Sequence, residues 1–433
     1  MDARQFYAKE KGMTACMGDF DKMRKTLLEA AKNNRLEETA EKLKNEVPKE
    51  EQRALDSLLH PERYGPVVQL SDCVCADGEA KCELHCLFDG IKRDKDGKLI
   101  VSTDCAGCGL CIEDCENHVL AGRVDLIPLM KLLAEHKTPV YAMIAPAFSG
   151  QFSEKVTAGK LRSAFKAAGF YGMIEVALFA DILTLKEALE FDRAIQDDND
   201  FIMTSCCCPM WVALIKKKYA SLIPHVPPSV SPMVACGRSI KHIHPEAVTV
   251  FIGPCIAKKA EAREEDIKDA VDYVLTFQET AELFEVCGID PAEMPEDESD
   301  HSSKGGRIYA KTGGVSEAVK STVERLNPHR KIALKAQQAD GIVDCKKMLL
   351  EIEKGNINAN FIEGMGCKGG CIGGPKRIIP VDEAREHINN YAKSASCKTP
   401  ADNPHVLMIL QKLGFDTLES LLDRDNIFIR QFK

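Results

Sequence analysis

The sequence lacks the features that mark exported and membrane-spanning proteins. Its first residues, MDARQFYAKEKGMTAC, have no basic start, no apolar stretch and no small-residue cleavage site, which together make a secretory signal. No run of about 18 apolar residues, the length that spans a bilayer, occurs in the chain. We therefore expect a cytoplasmic protein that does not enter a membrane.

The sequence also lacks a net positive charge. The formal net charge is −9, and the lysines and arginines are scattered along the 433 residues. Phosphate contacts need a basic face, so this composition argues against nucleic acid as a partner. Apolar residues make up 45 % of the chain and charged residues 28 %, which is ordinary for a folded protein with room for two or three domains.

Cysteine, in contrast, is abundant, with 19 in the chain. The cysteines are grouped in one CxxCxxCxxxC segment and in three later motifs, TSCCCPMW, GPCIAKKAE and GMGCKGGC. Grouped thiols in a chain without a secretory signal are metal ligands or redox groups far more often than disulfides. We therefore predict an iron-sulfur protein.

Three segments differ in composition. Residues 1–66 carry apolar side chains at helical spacing and predict a helical N-terminal segment broken near Pro48. Residues 67–123 are rich in Cys, Gly and Asp, and they predict a small ferredoxin-like domain organised by metal clusters. In residues 124–433 short apolar runs alternate with helical stretches, which is typical of an α/β fold with largely parallel sheets flanked by helices.

The second segment contains enough thiols for two [4Fe-4S] clusters. In CxxCxxCxxxC the first three thiolates reach one cubane and the last points toward a second. We predict crossed fourth ligands, with Cys73, Cys75, Cys82 and Cys115 on one cluster and Cys105, Cys108, Cys111 and Cys86 on the other. His85 is a further candidate ligand, although a supporting histidine is the commoner case.

The three later motifs each follow an apolar run, so they are expected at strand ends, where sites in open α/β folds usually lie. Pro209 in the first motif is expected to open a helix. The three strand ends supply one, one and two thiolates, which are four ligands for another cubane.

At these three motifs the chain resembles the iron-only, or [FeFe], hydrogenases, and the segments APAFSGQF and TGGVSEA support the resemblance. The resemblance implies a two-lobed catalytic domain and an H-cluster, in which a [4Fe-4S] cubane is joined to a di-iron unit carrying CO, cyanide and an amine dithiolate. It implies reversible oxidation of H2 to protons, with electrons passing through the two N-terminal clusters to ferredoxin or a redox partner subunit. It also implies hydrogenase maturation proteins as partners.

The resemblance further implies roles for individual residues. The cubane ligands would be Cys208, Cys255, Cys367 and Cys371, the last bridging to the di-iron unit. Lys258 would donate to a cyanide, Met365 would pack beside the cluster, and Cys207 would relay protons. The pocket would be lined by Ala145, Pro146, Ala147 and Pro254. Glu187 and Glu190 match the outer proton path, for which a solvated helix face is the alternative.

The chain departs from the family pattern at three points. The first signature has three adjacent cysteines, so alignment from Thr204 makes Cys206 the relay and Cys207 the ligand. Alignment from Pro209 makes Cys207 the relay and Cys208 the ligand, which we prefer because the proline fixes the helix start. Gly253 stands where the family usually has Met, which is expected to open space near the di-iron unit. At the serine of the proton path the chain reads Pro227 or Pro228, which have no hydroxyl.

These departures are typical of a divergent subgroup, and they leave two alternatives to a hydrogenase. One is a low-turnover H2 sensor, against which stands the absence of a sensory or kinase segment, unless a separate subunit transmits the signal. The other is a hydrogenase-like iron-sulfur assembly protein without the di-iron unit. Against it stand Cys371, Lys258 and the thiol tract, because a plain scaffold needs no cyanide donor.

Overall fold

The structure of the protein, a computed structural model, describes residues 15–75, 80–204, 207–297 and 301–432. The fold begins with helices Ala15–Lys32, Leu36–Glu46 and Gln52–Leu59. The predicted break near Pro48 is present, and a second break follows Lys32, where Asn34 adopts a positive φ of 54°. Leu27 and Leu28 of the first helix are fully buried, so this segment packs into the main core.

The cysteine-rich segment folds around two antiparallel strand pairs. Strand β1 (Val67–Gln69) pairs with β4 (Leu120–Gly122), and β2 (Ile91–Arg93) pairs with β3 (Leu99–Val101). Two short helices, Lys81–Leu84 and Leu110–Asp114, carry cysteines between these strands. Four of the ten buried residues in the core of this segment are cysteines, which leaves little apolar area to hold it together. The predicted boundaries at residues 66 and 123 stay predictions.

The larger sheet of the α/β part has four parallel strands in the order β6-β5-β8-β9. They are β5 (Val140–Ile144), β6 (Gly172–Glu175), β8 (Val248–Gly253) and β9 (Tyr273–Thr276). Every residue of β5 is buried, because helices cover both faces of a parallel sheet. The register pairs Gly253 with Thr276, so β8 and β9 end at the same edge.

The smaller sheet has three parallel strands in the order β10-β11-β7. They are β7 (Ile202–Met203), β10 (Ala336–Asp340) and β11 (Phe361–Met365). Thr204 continues the pairing of β7 through its backbone N–H, which donates to the Ile362 carbonyl at 2.8 Å. The first cysteine motif therefore leaves the sheet close to the third.

Helices flank both sheets, so the predicted α/β fold with parallel sheets and helices is confirmed. The helix Val176–Ala194 is buried for most of its length and packs against helices that follow it in the sequence, among them Pro232–Ile243, Lys304–Ile308 and Gly314–Leu326. The helices from residue 126 onward are Leu126–Glu135, Ala158–Ala167, Val176–Ala194, Pro209–Lys218, Pro232–Ile243, Ala257–Glu261, Phe277–Cys287, Lys304–Ile308, Gly314–Leu326, Ile342–Glu353, Val381–Lys393 and Pro404–Lys412. Among the described residues, none of the helices combines the length and the apolarity needed to cross a bilayer.

One loop differs from expectation. Residues 294–306 have no apolar periodicity and predict a surface excursion, but Ser303 is fully buried and begins the helix Lys304–Ile308. The Ser303 N–H and hydroxyl donate to the buried Asp181 carboxylate at 2.6 and 2.5 Å, and the Gly306 N–H donates to it at 2.8 Å. Hydrogen bonds to one carboxylate hold this turn, and a hydrophobic pattern cannot show them.

Candidate metal centre

The ends of three strands meet at one cavity. Its volume is about 70 Å³, and its lining includes the residues that directly follow β5, β8 and β11. The thiols that line it belong to Cys207, Cys208, Cys255, Cys367 and Cys371. The three motifs therefore lie around one cavity, as their places after apolar runs predict. The role of their thiols as ligands stays a prediction.

Contacts at the start of its helix hold Cys208 in place. It is the N-terminal capping residue of the helix Pro209–Lys218, and its Sγ accepts a hydrogen bond from the Gly366 N–H at 3.2 Å. The Trp211 indole N–H donates to the Thr204 carbonyl at 2.9 Å and links the helix to the end of β7. Trp211 is 1 % exposed, so it anchors the helix.

The four proposed ligand thiols fit a cationic cluster. Burial raises the pKa of Cys208 to about 12, and the neighbouring Cys207 adds to this effect. Burial and adjacent thiols also raise the pKa values of Cys367 and Cys371 well above the ordinary value. Thiols in such a place would keep their protons unless a cation replaced them, and bound iron deprotonates its cysteine ligands outright. The donor set therefore suits a cubane.

A buried cation stands beside these thiols. Lys258 is 6 % exposed, and its Nζ lies 2.6 Å from Glu261 Oε2. Burial alone would lower the Lys258 pKa, but Glu261, Cys255 and Cys371 raise it overall, so the side chain is an ammonium. An ammonium with three N–H donors in a dry pocket suits an anionic ligand.

The space next to Gly253 is filled, which corrects the expectation of an opening. A Cβ on Gly253 would lie 2.9 Å from Cε1 of Phe251 and 3.2 Å from the Cβ of Ala145. The Phe251 ring thus occupies the place, and it lines the cavity together with Ala145, Pro146 and Pro254. Ala147 is fully buried and is not part of the described lining.

Met365 and Cys207 meet in the lining of the cavity. Met365 is the last residue of β11 and is 1 % exposed. The Cys207 thiol lies 3.9 Å from its sulfur. Cys206, the alternative relay thiol, falls outside the described residues.

The eight thiols of residues 67–123 form two groups, as the crossed arrangement predicts. Cys73, Cys75, Cys82 and Cys115 line one small cavity. Cys86 lies near three other thiols and contributes to the raised pKa of each, namely those of Cys105, Cys108 and Cys111. Burial is the main cause that raises the pKa of Cys82 and of Cys108 to about 11. Their assignment as ligands stays a prediction.

Neutral N–H donors point at sulfur in both groups. The Asn117 amide donates to Cys75 Sγ at 3.0 Å, and the Gly90 N–H donates to Cys86 Sγ at 3.1 Å. Such hydrogen bonds stabilise the reduced, more negative state of an iron-sulfur cluster. His85 Nδ1 lies 2.9 Å from Asp114 Oδ2, which gives that nitrogen a carboxylate partner.

The three thiol groups follow one another through the protein. The outer group contains Cys73, Cys75, Cys82 and Cys115, and the middle group contains Cys86, Cys105, Cys108 and Cys111. Cys82 contributes to the raised pKa of Cys111, and Cys108 contributes to the raised pKa of Cys367 at the central cavity. The middle loop also touches the second motif, because a Cβ on Gly107 would lie 2.9 Å from Cα of Ala257. The middle group therefore neighbours both of the others.

Comparison with known proteins identifies the family. Residues 138–375, more than half of the chain, match the family described as "Iron only hydrogenase large subunit, C-terminal domain". The chain belongs to this family.

Relatives of this hydrogenase-family chain fall into more than one functional class. Iron hydrogenase 1 of Clostridium pasteurianum is 27 % identical over 297 residues, which are 59 % of this chain and 52 % of that protein. The chain thus spans about half the length of that relative. A probable cytosolic Fe-S cluster assembly factor of Drosophila ananassae is 26 % identical over 385 residues, covering 73 % of this chain and 80 % of that protein.

A solved hydrogenase structure has the same fold. It is a variant of the [FeFe]-hydrogenase HydA1 from Chlamydomonas reinhardtii, which aligns with a TM-score of 0.57 at 22 % identity. The alignment covers 68 % of this chain and 97 % of that one. The fold of the hydrogenase catalytic domain is therefore present here.

Of the two glutamates of the family pattern, Glu187 is buried and Glu190 is only slightly exposed, so the alternative of a solvated helix face is wrong. Glu187 is 1 % exposed, and the Glu190 side chain is 12 % exposed. Both lie on the helix Val176–Ala194, of which Ala180 lines the central cavity. Glu187 is about 10 Å further along the helix axis than Ala180, and Glu190 lies on the same side one turn later.

A serine hydroxyl stands beside Glu190, which corrects the expectation that this segment offers only proline. Ser229, which follows Pro227 and Pro228, is fully buried and donates its hydroxyl hydrogen to Glu190 Oε1 at 3.3 Å. Lys186, which lies outside every sequence motif, contacts both Glu190 and Ser229. Its spacing of four residues before Glu190, which suits an ion pair on a helix, is the sequence feature that indicates this contact.

Proposed function

We propose that the protein is a cytoplasmic [FeFe] hydrogenase of a divergent subgroup that interconverts H2 with protons and electrons. One observation carries the proposal: five thiols, of which that of Cys208 is buried and the others are partly buried, line a single cavity together with a buried ammonium. A cavity lined by thiols for a cubane and by a cation for anionic ligands suits the H-cluster.

Different residues at this cavity would bind different parts of the H-cluster. The cubane would be held by Cys208, Cys255, Cys367 and Cys371, with Cys371 as the bridge. The H-cluster, when bound, supplies the iron site at which H2 is split or formed. Lys258 would donate its N–H groups to a cyanide, while Ala145, Pro146, Pro254 and Met365 would keep water away from the iron.

Protons would enter and leave through side chains of this chain. Cys207, in the cavity lining beside Met365, would hold and release a proton at its Sγ atom. Glu187 and Glu190 would carry protons along the helix Val176–Ala194 to the surface, with the Ser229 hydroxyl next to Glu190. The burial of Glu187 and the slight exposure of Glu190 support this role, because a relay needs groups shielded from bulk water.

Electrons would pass through two [4Fe-4S] clusters bound by the eight cysteines of residues 67–123. We propose ferredoxin or a redox partner subunit as the donor or acceptor, and maturation proteins as the source of the di-iron unit. The order of the thiol groups supports such a line, because the middle group neighbours both of the others.

An iron-sulfur assembly protein is the second candidate. The similarity to the Drosophila assembly factor favours it, and that relative is covered more completely than Iron hydrogenase 1. In this case the cubane would be bound without a di-iron unit, and Lys258 would serve only its ion pair with Glu261.

Infrared spectroscopy distinguishes the candidates. The purified protein, loaded with its iron-sulfur clusters and with the di-iron cofactor, is examined for CO and cyanide stretches under argon and under H2. Bands that shift under H2, together with H2 turnover, are the expected result. Lys258→Met serves as a companion variant, whose cyanide bands are expected to shift because the N–H donor is lost.

Two other results would point elsewhere. Bands that respond to H2 at very low turnover would favour an H2 sensor. Absent bands in a protein with a full complement of iron and sulfide would overturn the proposal in favour of the assembly protein.

A further inference from the structure

A buried lysine lies at the outer end of the glutamate pair. Lys186 is 1 % exposed on the helix Val176–Ala194. Its Nζ forms an ion pair with Glu190, one helical turn later, and donates to Ser229 Oγ at 2.8 Å. The Ser229 hydroxyl in turn donates to the Glu190 carboxylate. Each of the three side chains thus contacts the other two.

The C-terminal segment fixes the serine in this triangle. The backbone N–H of Val230 donates to the Phe428 carbonyl at 3.0 Å, and the N–H of Arg430 donates to the Pro228 carbonyl at 3.0 Å. These two bonds flank Ser229 on both sides. The serine hydroxyl therefore has little freedom to turn away from Lys186 and Glu190.

The charge of Lys186 opposes the effect of burial on Glu190. Burial is the largest effect and raises the Glu190 pKa overall, while the ion pair with Lys186 and the hydrogen bond from Ser229 act in the opposite direction and limit the rise. Of the described groups that act on this pKa, Lys186 is the charged one. Arg330, which lies near the same helix, pairs instead with Asp192. Removal of Lys186 would leave a buried carboxylate without a counter-charge, a state that proteins avoid by protonating the group.

We propose that Lys186 is a positioning residue that keeps the Glu190 carboxylate ionised against Ser229 and thereby slows the passage of protons along this route. The inference rests on the proposed hydrogenase function. In each passage one proton reaches a Glu190 oxygen from the solvent side and one proton leaves toward the interior, so the ion pair regains its charge. Because Glu190 must be protonated for an instant, a partner that stabilises the carboxylate makes this step rare.

The charge state of Glu190 is tested first in protein that carries only its iron-sulfur clusters. Infrared difference spectra of wild type against Glu190→Gln, recorded between about pH 5 and pH 9, report the C=O stretch of a protonated carboxyl. At pH 7 wild type is expected to show no such band from Glu190. Lys186→Met is expected to show it, with the neutral fraction at least about tenfold higher, and Lys186→Met/Glu190→Gln is expected to lose it.

Lys186→Arg is the matched control, because it keeps the positive charge. It is expected to titrate as wild type does. A Glu190 carboxyl band in wild type at pH 7 would overturn the proposal, even if Lys186→Met failed to fold. An unchanged titration in folded Lys186→Met would overturn it as well.

The rate is tested second, in protein loaded with the di-iron cofactor. Exchange of D2 with water protons is expected to be about tenfold faster in Lys186→Met than in wild type, and unchanged in Lys186→Arg, since a carboxyl with a pKa nearer the working pH relays protons better. Exchange that is equal in Lys186→Met and wild type would overturn the effect on rate. If no protein shows exchange while the carboxyl bands behave as expected, the hydrogenase function fails and the charge assignment stands.

Discussion

The Sγ atom of Cys207 lies 3.9 Å from the Sδ atom of Met365, and the adjacent Cys208 Sγ accepts a hydrogen bond from the Gly366 N–H. Two neighbouring thiols in the lining of the cavity thus face different surroundings, one beside a thioether and one against the backbone of the third motif. This difference supports the alignment from Pro209, in which Cys207 is the relay and Cys208 the ligand.

Serine substitutions separate these two roles. Cys208→Ser is expected to lose the central cubane, or about four irons per chain, because the hydroxyl is a poor iron ligand. Cys207→Ser is expected to keep the iron content of wild type and to lose most H2 turnover, since a hydroxyl relays protons poorly at neutral pH. Iron and sulfide quantification together with an H2 assay would measure both. Loss of iron in Cys207→Ser with retention in Cys208→Ser would instead support the alignment from Thr204.

The crossed arrangement of the outer clusters predicts which thiols are lost together. Cys115→Ser is expected to perturb the cluster of Cys73, Cys75 and Cys82, while Cys86→Ser is expected to perturb the cluster that lies nearer the central cavity. Paramagnetic resonance of the reduced protein is expected to show the same missing signal in Cys115→Ser and Cys82→Ser, and the other missing signal in Cys86→Ser and Cys108→Ser. The opposite pairing, Cys115→Ser with Cys108→Ser and Cys86→Ser with Cys82→Ser, would contradict the crossed assignment.

Close packing of Trp211 on Gly364 predicts a large loss of stability. A Cβ at position 364 would lie 2.1 Å from two atoms of the Trp211 indole. Gly364→Ala is therefore expected to displace the ring and to lower the free energy of unfolding by about 1–3 kcal/mol or more. Gly172→Ala is the control, because a Cβ at position 172 would meet no atom within 4 Å, and its effect is expected to stay within about 0.5 kcal/mol. Urea unfolding, followed by the fluorescence of the one tryptophan, measures both.

The C-terminal segment is anchored by a buried arginine. Arg430, with a side chain 3 % exposed, contacts Glu264 at 2.7 Å and Asp266 at 3.1 Å. Arg430→Met is expected to cost about 2–3 kcal/mol of unfolding free energy, since it removes the arginine partner of Asp266 and leaves Glu264 with Lys216 alone. The exposed Arg424→Met is the matched control, expected within about 0.5 kcal/mol of wild type.

The stability contributed by this anchor should depend on pH in one direction. Burial would raise the Glu264 pKa, but Arg430 and Lys216 outweigh it, so the pKa is lowered overall. A carboxyl with a lowered pKa in the folded state stabilises above its unfolded pKa of about 4.3 and loses this contribution as the pH falls through the folded value. The difference in stability between wild type and Arg430→Met should therefore be full at pH 7 and shrink below about pH 4. A difference that grows in acid would refute the ion pair as its cause.

The amino-acid sequence by itself determined the kind of chemistry and its approximate place. The spacing of Cys105, Cys108 and Cys111 suits one cubane, whatever the surrounding fold. The three later motifs follow apolar runs, and the carboxyl ends of parallel strands lie at a common edge, so residues as distant as Cys208 and Cys367 could be expected together. Periodicity likewise indicated parallel sheets with flanking helices.

Contacts between distant segments were decided only by the tertiary structure. Ser229, not a proline, meets Glu190, because the C-terminal segment pairs with residues 228–230 and fixes their direction. The Phe251 ring fills the place beside Gly253, since side-chain packing settles how a vacated volume is used. The sequence does not distinguish Lys186 from an exposed helix lysine, but in the fold it is buried and forms the ion pair with Glu190. Spacing along a chain reports which residues can share an element, whereas burial and pairing depend on what the rest of the fold brings against them.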